Sequence, residues 1–523
     1  MQRKPNRVPG RPFWRSEPRW ALAAVGMVTL LFGLWMFGIT WLRHRAWFSQ
    51  NYDIGIFDQA MWLLSHLREP FVTVRVINVF GDHASFNLVV LAPFYRLWPW
   101  SGPSFLYAVH ALALSACVPA LYRLSRRVGA SPLFALAVAV AFCMNPLVQN
   151  TGWEFHPEAL SLPFLIYALV FALDRRWLPF GVSVGVAMLA KEDMPMLVFF
   201  LGVWLLAVRR QRMAALWTMA AGLAVFLFDT RVLIPRVGGG GYLYYQRFRE
   251  YGTGTVGVLV GMVTHFRRLL GDVLGQRGLR YISLLLSCLG PFVLLAPGIL
   301  IPIAPTLVFN LLSNFDAQRS VENHYIAPAL PFLMAAIAVG VARTEAILPR
   351  TRRAGAVILL VVLVPPLITN VMYSMAQPAS PLYRPLLYRT AHTVRLEEAK
   401  RCIPDGASVS ASHHLVAHMT DRPVVYLFPM PFEHPDYQQP QYRGEDQQRR
   451  IRQLDYIFVD RNLVYYRQYR LEGLFPLPAG ETWDTAKRFW SGWDILYDYD
   501  DILVARRPGA PVVDTPGCPA QPD

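Results

Sequence analysis

Residues 191–212 read KEDMPMLVFFLGVWLLAVRRQR: three ionisable residues, then an apolar run, then a junction dominated by Arg. Working outward, the same arrangement recurs with alternating polarity. Candidate spans lie at about 20–42, 104–122, 131–149, 158–174, 177–190, 194–208, 213–233, 281–296, 299–313, 325–342 and 354–373. Arg-rich junctions follow the second, fourth, sixth and tenth of these: Arg123-Leu124-Ser125-Arg126-Arg127, Asp174-Arg175-Arg176, Arg209-Arg210-Gln211-Arg212 and Arg343 through Arg353. The other junctions carry Asp, Glu and His: Asp53, Asp58, Asp82 and His83, then Glu154, His156 and Glu158, then Lys191-Glu192-Asp193, then Asp316, Arg319, Glu322 and His324. Short basic loops stay in the cytoplasm. The pattern therefore predicts a polytopic α-helical membrane protein of about 11 spans that collects one polar site on its outer face.

Composition supports this reading. Of 523 residues, 54% are hydrophobic and 16% charged, too little charge for a soluble chain of this length. The net charge of +15 comes with no basic stripe interleaved with aromatics, so nucleic acid is not an expected partner. The basic tail 1–19 is read as cytoplasmic, and the run after it as a retained anchor without a small-residue cleavage site. A large first outer loop, 43–103, follows in the membrane domain 20–376; its run 86–98 contains Pro93 and Arg96 and reads as juxtamembrane or re-entrant. The Arg-rich loop 234–280 falls outside against the charge rule, which long loops obey weakly, and its glycines 238–241 read as a hinge.

Residues 377–523 turn polar and read as a small extracytoplasmic α/β domain. Strands are expected at 407–411, 424–428 and 456–459, a helix at 413–419, and a terminal hairpin across Asp500-Asp501. Cys402 and Cys518 flank this region and can pair if it lies in an oxidising compartment.

Several polar residues admit both a bland and a chemical role. Asp53 opens an amphipathic stretch, 53 to about 66, where it serves either as an N-cap or as a reactive carboxylate; Asp58 is either on a solvated face or in the site. Asp82 and His83 can be a cap, a metal ligand or a phosphate contact. His156 and Glu158 open the fourth span at spacing compatible with a divalent metal ion, with Asp82 a further candidate, though no fixed ligand signature is present. Lys191, Glu192 and Asp193 are interface anchors or, if they face inward, site residues. Arg319 and His324 suit an anionic phosphate, as they would a hydrated loop.

The stretches 52–59 (YDIGIFDQ), 80–83 (FGDH) with 91–95 (LAPFY), 156–160 (HPEAL) and 191–193 (KED) resemble, in this order, the DUF2079 family of bacterial and archaeal membrane proteins. That family is in turn similar to GT-C glycosyltransferases, which use polyprenyl-phosphate sugars. The resemblance implies a large first outer loop with an essential Asp and a soluble C-terminal domain on the same face. Asp53 and Asp58 match the acidic position; Asp53 is favoured because it follows the first span closely, and the tandem acidic pair of some GT-C families is missing. By that likeness the chain is a membrane glycosyltransferase of the cell envelope, with a polyprenyl-phosphate-linked sugar and membrane lipid as partners. Asp53 or Asp58 would be the catalytic base, Lys191, Arg319 and His324 would hold phosphate, and Asp82, His83, His156, Glu158, Glu192 and Asp193 would shape the sugar pocket or hold an optional divalent ion. A transporter or flippase of a lipid-linked precursor, or a non-enzymatic assembly protein, is the alternative; ionisable groups at span ends and the lack of an internal repeat weigh against transport. The charge pattern predicts that alkaline phosphatase fused after about residue 380 is active, and an active cytoplasmic reporter at that position would refute the assigned orientation.

Overall fold

In hydrocarbon a backbone N–H finds its partner only within its own helix, so the apolar runs must fold as helices. The computed structural model describes residues 13–49, 51–240, 242–376, 389–433, 444–462, 483–511 and 517–519. Among these, six helices are long and apolar enough to cross a membrane: Arg19–Arg45, Gly102–Val128, Pro157–Asp174, Arg212–Gly238, His324–Ile347 and Arg352–Tyr373. Four shorter apolar helices join them, Pro132–Met144, Trp177–Met188, Met194–Ala207 and Pro297–Leu312. Most of the residues 1–19 read as a cytoplasmic tail, the boundary near 377 and the last hinge glycine lie outside the described residues.

Two predicted runs are broken, each for a local reason. The run 131–149 stops at Asn145, whose extended backbone and side chain cap a second helix, Pro146–Thr151, by accepting from the Leu147 N–H. The run 281–296 becomes a helix, Gln276–Leu289, ending at Gly290 in a left-handed conformation (φ 71°). Helix Asn87–Arg96 is ten residues long, about 15 Å and half of what hydrocarbon requires. It exposes Val89, Val90 and Phe94, in keeping with a juxtamembrane segment.

The chain divides into two compact units. The first comprises residues 1–38, 83–87 and 108–377. Its core is rich in Ala and Leu, with helix Leu330–Ile347 buried along most of its length. Small residues allow close helix approach: a Cβ on Gly222 would sit 2.6 Å from the Pro195 carbonyl oxygen and 2.7 Å from the Phe199 nitrogen.

The second unit comprises residues 39–82, 88–107 and 378–523. The first outer loop, apart from residues 83–87, thus folds together with the C-terminal region. Its short hairpin pairs β1 (Phe71–Val72) with β2 (Ile77–Asn78). The C-terminal sheet is built from β3 (Val409–Ala411), β4 (Val425–Leu427), β5 (Tyr456–Asp460), β6 (Asp494–Tyr499) and β7 (Ile502–Arg506), in the order β4-β3-β5-β7-β6. Strand β3 runs parallel to both neighbours, while β7 runs antiparallel to β5 on one side and to β6 on the other. Every residue of β5 is buried, as a central strand should be. Asp500 and Asp501 both take positive φ, the backbone a tight hairpin demands.

Strand β4 is an edge, and the first loop covers it. Thr73 Oγ1 donates to the Val425 carbonyl (2.7 Å) and accepts from the Val425 N–H (2.8 Å). Gln59 Nε2 donates to Thr73 Oγ1 (2.8 Å) and to the Pro423 carbonyl (3.2 Å). Val76 from the loop joins Tyr426, Phe428, Ile457, Val459 and Leu503 in the core beneath.

Cys402 and Cys518 form a disulfide across 116 residues, while Cys117, Cys143 and Cys288 are free thiols. Alkylation of denatured, unreduced protein should therefore label only Cys117, Cys143 and Cys288. Closure of so long a loop predicts that Cys402→Ser destabilises the second unit by about 2–4 kcal/mol, read from its thermal or denaturant unfolding.

Candidate functional site

In the first unit the polar junctions meet. Asn87 sets the approach: its N–H donates to the Leu189 carbonyl (3.0 Å) and its side chain to the Pro157 carbonyl (2.9 Å). This brings His83 to the short connection that carries Lys191, Glu192 and Asp193. The His83 Nδ1 lies 2.9 Å from Glu192 Oε1, and the same carboxylate accepts from the Ala84 N–H (3.3 Å) and the Tyr242 hydroxyl (2.7 Å). Tyr244 stacks flat on the His83 ring, centroids 4.9 Å apart, with its hydroxyl 3.1 Å from His83 Nε2.

A second knot adjoins within the same unit. The Lys191 ammonium donates to Glu158 Oε1 at 3.5 Å, and His324 Nε2 lies 3.8 Å from the same oxygen. The His156 ring stacks on His324 at 3.5 Å, and its Nδ1 is 3.0 Å from the Glu154 carbonyl. Glu158 and Glu192 expose only 4% and 2% of their side chains, so these charges persist because they are paired. For Lys191, burial disfavours the ammonium, but Glu158, Asp193 and Glu192 outweigh it and drive its pKa up. For Glu192, burial is likewise overcome, here by His83, Lys191 and the Tyr242 hydroxyl, and its pKa falls. Asp193 goes the other way: burial raises it, Lys191 opposes, and the Glu192 and Glu158 carboxylates add to the rise.

Three cations read as phosphate-holding thus differ in availability. The charge of Lys191 faces carboxylates, and Arg319 donates to Asp316 at 3.0 Å. His324 shares Glu158. Sequence reasoning passed over Arg247, whose guanidinium carbon lies 4.6 Å, 4.7 Å and 5.5 Å from the ring centres of Tyr244, Phe315 and Tyr325. No carboxylate pairs with it among the described residues. Tyr242 and Tyr244 were missed as well; the aromatic and basic stretch YLYYQRF at 242–248 was the available signal. Among the described residues no three His, Cys, Asp or Glu side chains are grouped to hold a metal ion, and Glu158 is engaged by Lys191 instead.

The second unit holds the two candidate bases and Asp82, which pairs with Arg75 at 3.5 Å. Residues 51–55 form a wide π-helical turn that leads into helix Ile56–Ser65. Asp53 lies inside that turn, half-buried, and not at an N-cap: the cap residue is Gly55, without a side-chain cap bond. The solvated-face alternative for Asp58 does not hold either. Asp58 is 1% exposed, and it accepts from Thr420 Oγ1 (2.5 Å) and the Tyr95 hydroxyl (3.0 Å). Helix Ile56–Ser65 is therefore packed inside protein rather than laid on an interface. Near Asp53 lie His413, whose pKa burial pulls down to about 3, and Tyr52, edge-on to His413 at 5.8 Å.

A family model described as predicted membrane protein (DUF2079) matches residues 43–504. No curated protein matches the chain by sequence. Among solved structures, ArnT from Cupriavidus metallidurans bound to undecaprenyl phosphate is similar at a TM-score of 0.51 and 13% identity, covering 93% of this chain and 97% of that one. The apo state of ArnT gives a TM-score of 0.53 with the same identity and coverage. The Archaeoglobus fulgidus oligosaccharyltransferase tethered to an acceptor peptide gives 0.44 at 12% identity, covering 90% of this chain and 75% of that one. At such identities the likeness is one of fold: an ArnT-like, mostly helical membrane architecture with a small C-terminal sheet.

Burial raises the Asp58 carboxyl to about 7, while the bonds from Thr420 and Tyr95 pull weakly the other way. Between its unfolded value near 4 and that folded value, the native state holds the proton more tightly. The stability contributed by neutral Asp58 is thus complete below about pH 4 and is lost as pH rises through about 7. Thermal unfolding in detergent should show falling stability from about pH 5 to about pH 8, and Asp58→Asn should flatten that slope. An unchanged slope in the variant would exclude Asp58 as its source.

Proposed function

The chain belongs to the DUF2079 family of predicted membrane proteins, and from that premise we propose that it is a GT-C-type glycosyltransferase moving a sugar from a polyprenyl-phosphate donor to an envelope acceptor. The observation that carries this reading is the ArnT-like fold over 93% of the chain, in a neighbour solved with undecaprenyl phosphate. The polar groups of the first unit agree with it. They cluster at helix ends, where a lipid-borne phosphate meets polar side chains while its tail stays in hydrocarbon.

In the proposed step, an acceptor hydroxyl oxygen attacks the anomeric carbon of the sugar. The bond from that carbon to the phosphate oxygen breaks with inversion, its electron pair leaving on polyprenyl phosphate, and the hydroxyl proton passes to a carboxylate. Asp53 is the proposed base. Asp58 is the weaker candidate, because both its oxygens already accept hydrogen bonds and its burial favours the neutral acid. Arg247 is added to Lys191, Arg319 and His324 as a proposed holder of the departing phosphate, since its guanidinium is framed by rings rather than by carboxylates. Glu158, Glu192, Asp193, His83 and His156 supply acceptors and donors suited to sugar hydroxyls. The proposed location is the cell membrane, with the C-terminal domain extracytoplasmic.

Asp53→Asn preserves volume and removes the basic oxygen. Release of polyprenyl phosphate from an undecaprenyl-phosphate-linked sugar, with membrane extract as acceptor source, should fall on the order of 100-fold or more in a normally inserted protein. Asp58→Asn should retain most of the activity. The opposite ranking would move the base to Asp58, and full activity in both variants would reject the mechanism.

A further inference from the structure

The second unit contains a cleft of about 820 Å³ that none of the residues above explains. One wall is the C-terminal end of helix Arg19–Arg45 with the turn after it; another is the end of helix Ala391–Lys400, held by the Cys402–Cys518 disulfide. Four aromatic rings run along it as one continuous stack. Trp41 lies 5.6 Å from His44, His44 lies 4.1 Å from His418, and His418 lies 3.8 Å from Trp47. The inner end is buried and Trp41 is the half-exposed end.

The charge of the cleft is unbalanced. Arg45, Lys400 and Arg401 line it, and none of their side chains has a hydrogen-bond or ion-pair partner among the described residues. Of the two lining acids, Glu397 is bound by Arg389, which leaves Asp405. Arg422, also in the lining, is 1% exposed; it donates to the carbonyls of Met419 and Ala407 and pairs with Asp421 at 3.5 Å, so its charge is already answered. The Nε2 of His418 is buried without a hydrogen-bond partner. Burial also disfavours the ammonium of Lys400, a cost that a bound anion would offset.

We propose that this cleft binds a phosphorylated saccharide, with Arg45, Lys400 and Arg401 on the phosphate and the sugar packed on Trp41. Planar guanidinium groups suit phosphate oxygens, and an aromatic wall with a few convergent polar groups is the usual composition of a small-ligand site. The phosphate could be soluble or borne by a lipid. The assignment does not depend on the transfer reaction, because the assay reads binding alone.

The test uses the full-length protein in phosphatidylcholine nanodiscs, titrated calorimetrically with glucose 1-phosphate, glucose and inorganic phosphate. Glucose 1-phosphate should bind more tightly than either component. Lys400→Gln/Arg401→Gln should weaken it about tenfold or more. Arg45→Gln/Arg401→Gln, at two exposed positions where folding is not at stake, should do the same. Repeating the titration in phosphatidylglycerol nanodiscs tests the need for a sugar: lost glucose 1-phosphate binding there would give the cleft to a sugar-free lipid phosphate and overturn the proposal, and retained binding supports a phosphosaccharide. Unchanged affinity in both folded variants, or no binding of any probe in either nanodisc, would overturn the proposal.

Discussion

The pairing of Lys191 with Glu158 is the contact on which the first unit's polar interior depends. A carboxylate this buried is tolerable only beside a cation, and Lys191 answers Glu158 together with Glu192 and Asp193. Were the ammonium removed, three carboxyl groups would face one another in a desolvated space. His83 and Tyr242 complete the arrangement by binding Glu192, so the short stretch around residue 83 and the loop beyond residue 241 are both drawn to the same junction. Polar order at these helix ends and apolar packing between the helices are thus two aspects of one structure.

How much of this could be read from the chain depends on the distance over which each interaction acts. Spans were legible because hydrocarbon enforces a local rule on every residue of a run. The C-terminal strands and the Asp500-Asp501 turn were legible for the same reason, since alternation and turn chemistry are local. The breaks at Asn145 and Gly290 were not foreseen, although each rests on a single residue's backbone preference.

That His83, His156, Glu158, Lys191, Glu192 and His324 gather was legible in the sequence, and how they pair was not. His83 and Glu192 are 109 residues apart, and Lys191 and Glu158 are 33 apart; no pattern in the sequence says which cation serves which carboxylate. The solvated-face alternative for Asp58 fell for the same reason. Helix Ile56–Ser65 looks amphipathic from its own residues, but Thr420 lies 362 residues further on and covers its polar side. Arg247, Tyr242 and Tyr244 were overlooked because the glycine run before them suggested only a hinge.

The clamp of Thr73 and Gln59 on strand β4 also has a meaning in time. Thr73 and Val425 are separated by 352 residues, so at about 5–20 residues per second the ribosome needs roughly 20–70 s to make the strand after the loop that covers it. For that interval the loop carries Val72, Val74 and Val76, all buried in the finished protein, with no sheet to bury them against. A nascent chain halted after helix Arg352–Tyr373 would retain every membrane run and still present this apolar hairpin uncovered, so the loop is where an unfinished molecule differs from a finished one.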